Sequence, residues 1–170
     1  MAISRLNHAV LYVRDAERSA AFYRDVLGFR VVMAMGGRAV FLQAPDSTND
    51  HDLGLFSIGD AAAASPAGRA SVGLYHLAWE VRTLADLATV RDDLTAAGAL
   101  VGASDHGTTK SLYGRDPDGL EFEIVWLIPA DRIDDAILQA KTTIRPLDLD
   151  AEIARFGADT LGGIGISVRA

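Results

Sequence analysis

Leu6-Asn7-His8-Ala9-Val10-Leu11-Tyr12-Val13-Arg14 and Leu74-Tyr75-His76-Leu77-Ala78-Trp79-Glu80-Val81-Arg82 are two versions of one segment. They align without a gap at an offset of 68 residues, with leucine, histidine, valine and arginine coinciding. Each is rich in β-branched and apolar residues and reads as a strand. The repeat runs on: Asp15 falls on Thr83, Phe22 on Val90 and Val26 on Leu94. The chain is therefore a duplication in which each copy presents one strand histidine. If the copies pack as a pair, equivalent positions on equivalent strands converge near a pseudo-twofold axis. Neutral imidazole is the commonest protein ligand for transition metals, so His8 and His76 are the first candidate metal ligands.

Working outward, Asp15 can cap a helix over 16–27, where Phe22, Tyr23, Val26 and Leu27 make an apolar stripe and Gly28 supplies the stop. Strands are expected at 3–13, 29–35, 38–43 around a Gly36-Gly37 turn, and 52–58, giving βαβββ. Residues 59–73, rich in Ala, Gly and Ser, read as a linker. The second copy repeats the order: a strand at 74–82, a helix from a Thr83 cap through Leu84, Leu87, Val90, Arg91 and Leu94 to Gly98, and strands near 99–104, 108–115 and 120–127. Asp116-Pro117-Asp118-Gly119 forms the last tight turn. After Pro129, residues 131–141 and 149–156 read as helices of an extension expected to serve packing or dimerisation. The expected fold is α+β: two tandem βαβββ modules (3–58 and 74–128) in a curved mixed sheet around a metal site, forming a domain over 1–128. A helical extension follows over 129–170.

The bulk properties set limits. At 170 residues the chain is one domain by length, with 49% hydrophobic and 23% charged residues, as in ordinary globular proteins. A net charge of −7 argues against nucleic acid or an anionic membrane surface as the main partner. No apolar run has the length of a membrane span and no signal-peptide pattern opens the chain, so a cytoplasmic location is expected. There is no cysteine, so any metal must be held by nitrogen and oxygen.

Two histidines need a third ligand. Glu121 and Glu123 lie on one face of the final strand, with Leu120, Phe122 and Ile124 on the other. Carboxylates in a strand that otherwise reads as core are costly to bury unless paired or metal-bound. Strand parity does not separate the two.

Asn7-His8 through Val13, with Phe22-Tyr23-Arg24-Asp25-Val26-Leu27-Gly28-Phe29, resembles the opening of the vicinal oxygen chelate superfamily. That superfamily holds glyoxalase I, type I extradiol dioxygenases, methylmalonyl-CoA epimerase and the bleomycin and fosfomycin resistance proteins. Asp116-Pro117-Asp118-Gly119-Leu120-Glu121-Phe122-Glu123 resembles its closing motif, in which the last glutamate is the ligand. The resemblance implies Glu123 as the carboxylate and Glu121 as a bystander. It also implies a small-molecule partner and, by analogy, a homodimer.

Within that superfamily, glyoxalase I and the epimerase take a fourth ligand, Glu or Gln, from the last strand of the first module. Subtracting the 68-residue offset from Glu123 gives Leu55, flanked by Gly54 and Phe56, none of which binds a metal through its side chain. Asp52 lies nearby, and a slip of register would alter the count. Three ligands, His8, His76 and Glu123, make the 2-His-1-carboxylate set that suits non-heme Fe(II), with Mn(II) as the other candidate. The resemblance to type I extradiol dioxygenases extends to His51 as the acid–base residue. It also extends to Tyr113, ten residues before Glu123, and to His106 shortly upstream as a supporting histidine. It implies ring cleavage of a catechol-type aromatic diol with O2, in the catabolism of aromatic compounds. The alternatives are a glyoxalase- or epimerase-like metal-dependent isomerase or lyase, and a metal-free drug-binding resistance protein.

Overall fold

Asp15 and Gly28 bound the first helix as their chemistry dictates. In the computed structural model, which describes residues 3, 5–68 and 70–163, α1 (Ala16–Leu27) starts where the Asp15 carboxylate accepts from the Glu17 and Arg18 N–H groups. It ends at Gly28, whose φ of 72° lies in the left-handed region that favours glycine. The buried stripe is Ala16, Ser19, Ala20 and Tyr23 rather than the expected Phe22, Tyr23, Val26 and Leu27. Small residues let the first turns lie close against a sheet, which leaves Phe22, Val26 and Leu27 half-buried at the flank.

That sheet contains β1 (Ala9–Val13), β2 (Arg30–Ala34), β3 (Ala39–Gln43) and β4 (Leu53–Ser57) in the order β1-β4-β3-β2. β1 and β4 are parallel; the other pairs are antiparallel. Leu11, Val13, Val40, Leu42, Leu53 and Leu55 form the core, and every residue of the edge strand β2 is exposed.

The second sheet repeats the plan with β5 (Leu77–Glu80), β6 (Leu100–Asp105), β7 (Thr109–Arg115) and β8 (Glu121–Leu127), in the order β5-β8-β7-β6, and adds β9 (Arg145–Pro146) beside β6. Its helix, α2 (Leu84–Ala96), opens with a capping box between Thr83 and Asp86 and buries Leu84, Leu87 and Leu94. β8 alternates cleanly: Phe122, Ile124 and Trp126 are buried, while Glu121, Glu123 and Val125 are half-buried on the opposite face. Each βαβββ module thus contributes one mixed sheet to the expected α+β fold.

The extension continues through a 3-10 turn (Ala130–Arg132), α3 (Asp135–Ala140), β9 and α4 (Leu149–Phe156). It buries Ile137, Leu149 and Phe156, each worth about 1.5–3 kcal/mol if fully desolvated. The Phe156 ring lies 5.6 Å from that of Trp126, whose indole N–H donates to the Thr160 carbonyl at 3.2 Å. Packing on its own chain is therefore one role of this segment. By contact density the chain forms two units: residues 1–66 with 116–120, and residues 67–115 with 121–170.

Candidate active site

Within the second unit, antiparallel pairing sets Tyr113 on β7 directly opposite Glu123 on β8, and parallel pairing sets Ala78 on β5 beside Glu123. His76 enters just before β5. Four of the expected site residues form a continuous polar chain. His106 Nε2 is 2.8 Å from the Tyr113 hydroxyl, the hydroxyl is 3.4 Å from Glu123 Oε1, and Glu123 Oε2 is 3.2 Å from His76 Nε2. The phenol carries one proton. When it donates to Glu123, the His106 Nε2–H donates to the phenolic oxygen. Burial, followed by the charge and hydrogen bond of Glu123, pushes the Tyr113 hydroxyl up to about 12, so it stays protonated at neutral pH.

In the first unit the expected residues His8 and His51 come together, their ring centroids 4.5 Å apart. His8 Nδ1 bonds Asn7 Oδ1 at 2.7 Å and His51 Nδ1 bonds Asp50 Oδ2 at 2.8 Å. Where Nδ1 is the donor in each pair, both Nε2 atoms keep their lone pairs. Phe41 lies edge-on to His51 at 5.1 Å. Asp52, the residue that could have altered the ligand count, is buried and committed elsewhere. It accepts from the Ala44 N–H, the Ser47 hydroxyl and the Asn49 amide at 2.7–2.8 Å. Glu121 faces Arg115 at 3.6 Å.

Strand register corrects one inference about the duplication. Glu123 pairs with Ala78 and Tyr113; the matching strands of the first module pair Gly54 with Val10 and Phe41. The counterpart of Glu123 is therefore Gly54, one residue from the Leu55 obtained by subtraction, and the counterpart of Tyr113 is Phe41. Gly54 has no side chain to offer, so this corner carries no donor.

The Glyoxalase/Bleomycin resistance protein/Dioxygenase superfamily matches residues 5–124. The chain belongs to this superfamily. Among its relatives are a manganese-dependent 2,3-dihydroxybiphenyl 1,2-dioxygenase of Geobacillus genomosp. 3 and a catechol-2,3-dioxygenase of Bacillus subtilis. Each is 30% identical, over 73% and 71% of this chain and 37% and 41% of the relative. The chain thus spans about two fifths of the length of these dioxygenases. An ethylmalonyl-CoA/methylmalonyl-CoA epimerase of Cereibacter sphaeroides is 36% identical over 58% of this chain and 75% of its own. Among solved structures, a lactoylglutathione lyase from Agrobacterium tumefaciens superposes with a TM-score of 0.54. It is 26% identical and is matched over 72% of this chain and 93% of its own.

Superfamily members use divalent metals, and the name of the Geobacillus enzyme specifies manganese. The donors of the second unit fit such an ion. Metals of this class hold nitrogen and oxygen donors at about 2.0–2.2 Å, which sets neighbouring donors roughly 3.0–3.5 Å apart. His76 Nε2 and Glu123 Oε2 are separated by 3.2 Å. The separation suits either an Nε2–H of the imidazole donating to the carboxylate or a metal ion between the two donors. His76 Nδ1 is buried without a hydrogen-bond partner among the described residues, so the ring's polar contact is made through Nε2. Among the described residues no group of three imidazole or carboxylate side chains is gathered at one place.

Proposed function

We propose that this protein is an extradiol dioxygenase that opens a catechol-type ring beside one hydroxyl, using O2 and an Fe(II) or Mn(II) ion held by His8, His76 and Glu123. The observation that supports it best is the His106–Tyr113–Glu123–His76 chain, in which a phenol and an imidazole lie next to the Glu123 carboxylate. The donor-free Gly54 agrees with it, because a three-ligand metal keeps positions open for both a diol and O2. An ion held by His8, His76 and Glu123 would supply Lewis-acid chemistry that lowers the pKa of a diol hydroxyl and redox chemistry toward O2. Tyr113, protonated at neutral pH, donates a hydrogen bond to the diol oxygen. His106 fixes the phenol's direction. His51, beside His8, serves as the acid–base group that delivers a proton as the ring opens. Both atoms of O2 enter the product, a ring-opened hydroxymuconic semialdehyde type of compound.

The length coverage of the epimerase relative favours a second reading, a metal-dependent isomerase that needs no O2. One experiment separates the readings: anaerobic reconstitution with Fe(II) or Mn(II), then oxygen-electrode and absorbance measurements with a catechol panel. The dioxygenase reading requires one O2 consumed per ring and a yellow product, both lost in His8→Ala. Metal binding without oxygen uptake on any catechol, together with turnover of an acyl-CoA thioester, decides for the isomerase.

A further inference from the structure

His106 is carried on the turn between β6 and β7, and the C-terminal extension grips this turn at three points. β9 pairs with its incoming strand, Arg145 opposite Asp105 and Pro146 opposite Ser104. Gly107, with φ of 78°, is pressed against the end of α3. A Cβ there would stand 2.7 Å from the Lys141 nitrogen, 2.8 Å from the Ile137 carbonyl oxygen and 2.9 Å from the Ala140 carbonyl carbon. The third grip is ionic. Lys110, only 2% exposed, places its ammonium 2.5 Å from Asp105 Oδ1 and 3.1 Å from Glu152 Oε2 on α4. Asp105 also accepts from the Gly107 N–H at 2.8 Å and pairs through its other oxygen with Arg145 at 3.1 Å. One carboxylate, immediately before His106, ties the turn to two parts of the extension.

A buried lysine between two carboxylates is an expensive way to dock a helix, since apolar packing would serve stability as well. What the ionic arrangement adds is direction. It fixes residues 105–110 at one position, from which the His106 ring reaches the Tyr113 hydroxyl at 2.8 Å. We propose that the extension is a positioning element for the His106–Tyr113 pair. In it Lys110, Glu152 and Arg145 act as positioning residues through Asp105, and Gly107 seats the turn on α3. This rests on the reading of Tyr113 and His106 as active-site groups.

Glu152→Gln removes the outer anchor but leaves Lys110 with Asp105, and Arg145→Gln is a milder second variant at a half-exposed position. The primary readout is the ring resonances of His106 in 15N-labelled protein without added metal, assigned through Tyr113→Phe and His106→Ala. Glu152→Gln is expected to shift the His106 and Tyr113 signals toward those of a broken pair while those of His8 and His51 stay in place; Arg145→Gln is expected to do the same to a lesser degree. In the reconstituted protein, kcat should fall about tenfold with KM for the diol within about twofold, and Glu152→Gln should cause no further loss in a His106→Ala background. Unmoved His106 resonances in both folded variants, or losses that simply add to that of His106→Ala, overturn the proposal. Shifted resonances in a protein that consumes no oxygen with any catechol uphold the positioning and refute the dioxygenase reading instead.

Discussion

Replacing Lys110 with methionine keeps the length of the side chain and removes its charge from a site that is 2% exposed. The facing carboxylates, Asp105 and Glu152, have side chains only 11% and 15% exposed, so water screens their loss of a partner weakly. Breaking a buried ion pair by deleting one member costs about 3–5 kcal/mol. Arg145 and the Gly107 N–H remain on Asp105, which places the expected loss at the lower end, about 3 kcal/mol. For a domain of this size, that lowers Tm by roughly 6–12 °C. Urea denaturation followed by circular dichroism reads the difference directly. The loss should also depend on pH with a definite sign. Burial alone would raise the Asp105 carboxyl. The Lys110 and Gly107 hydrogen bonds and the charges of Lys110 and Arg145 outweigh burial and hold it below its ordinary range. A depressed carboxyl contributes stability that is present above its unfolded value, near about 4, and is lost as pH falls through the folded value. The gap between wild type and Lys110→Met should therefore be full at neutral pH and narrow in acid. A loss below about 1 kcal/mol at pH 7, or a gap that widens in acid, refutes the reasoning.

Tyr113→Phe deletes the hydroxyl shared by His106 and Glu123; kcat for diol cleavage should drop by about 10²–10³, with Tm within a few degrees of wild type. A tyrosine that only packs would leave kcat unchanged. Asp118, with a side chain 6% exposed, takes hydrogen bonds from the Arg14 backbone and guanidinium and from Arg18 at 2.8–2.9 Å. Asp118→Asn should cost about 1.5–3 kcal/mol, and calorimetry showing no change would mean that the turn is held by its backbone alone. Gly54→Glu puts a carboxylate at the register position that Glu123 holds in the second module, where a Cβ would meet the Phe41 ring at 3.4 Å and Val10 at 3.5 Å. On the proposed ligand set it should keep Fe(II) bound while oxygen uptake falls more than tenfold, and wild-type turnover counts against the open-corner argument.

The helices were legible because their ends are local. Asp15, Gly28 and Thr83 act on backbone groups within four residues, and the structure finds each in its expected role. The strands were legible from alternation, as in β8. β9 was not, because two residues, one of them proline, carry no periodic signal and pair only when β6 is already in place. Lys110 was missed for a related reason. A lysine in a strand reads as solvated, and the partner that justifies its burial lies 42 residues further on in α4. The Leu55 inference failed by one residue because sequence offset and strand register are different quantities. Both modules carry a one-residue bulge at the matching strand pair, so the slip arises in the connections: the paired residues Val10 and Gly54 are 44 positions apart, Ala78 and Glu123 45.

That one-residue correction changes what the broken corner means. Opposite Gly54 across the sheet lies Phe41, whose ring atoms would be the nearest contacts of a Cβ at position 54. The same ring meets His51 at 5.1 Å and Phe56 at 5.8 Å. Glycine leaves room for the ring, and the ring gives His51 an apolar neighbour. The second module makes the opposite choice at the same two register positions: a carboxylate where the first has hydrogen, and a phenol where it has phenyl. The missing ligand is thus one half of a paired exchange. One module sets imidazoles against an aromatic wall; the other sets a carboxyl group beside a phenol and an imidazole. On the proposed reading, the phenol and imidazole of the second module are the groups suited to orient the oxygens of a diol, which the matching phenyl and glycine of the first module could not do.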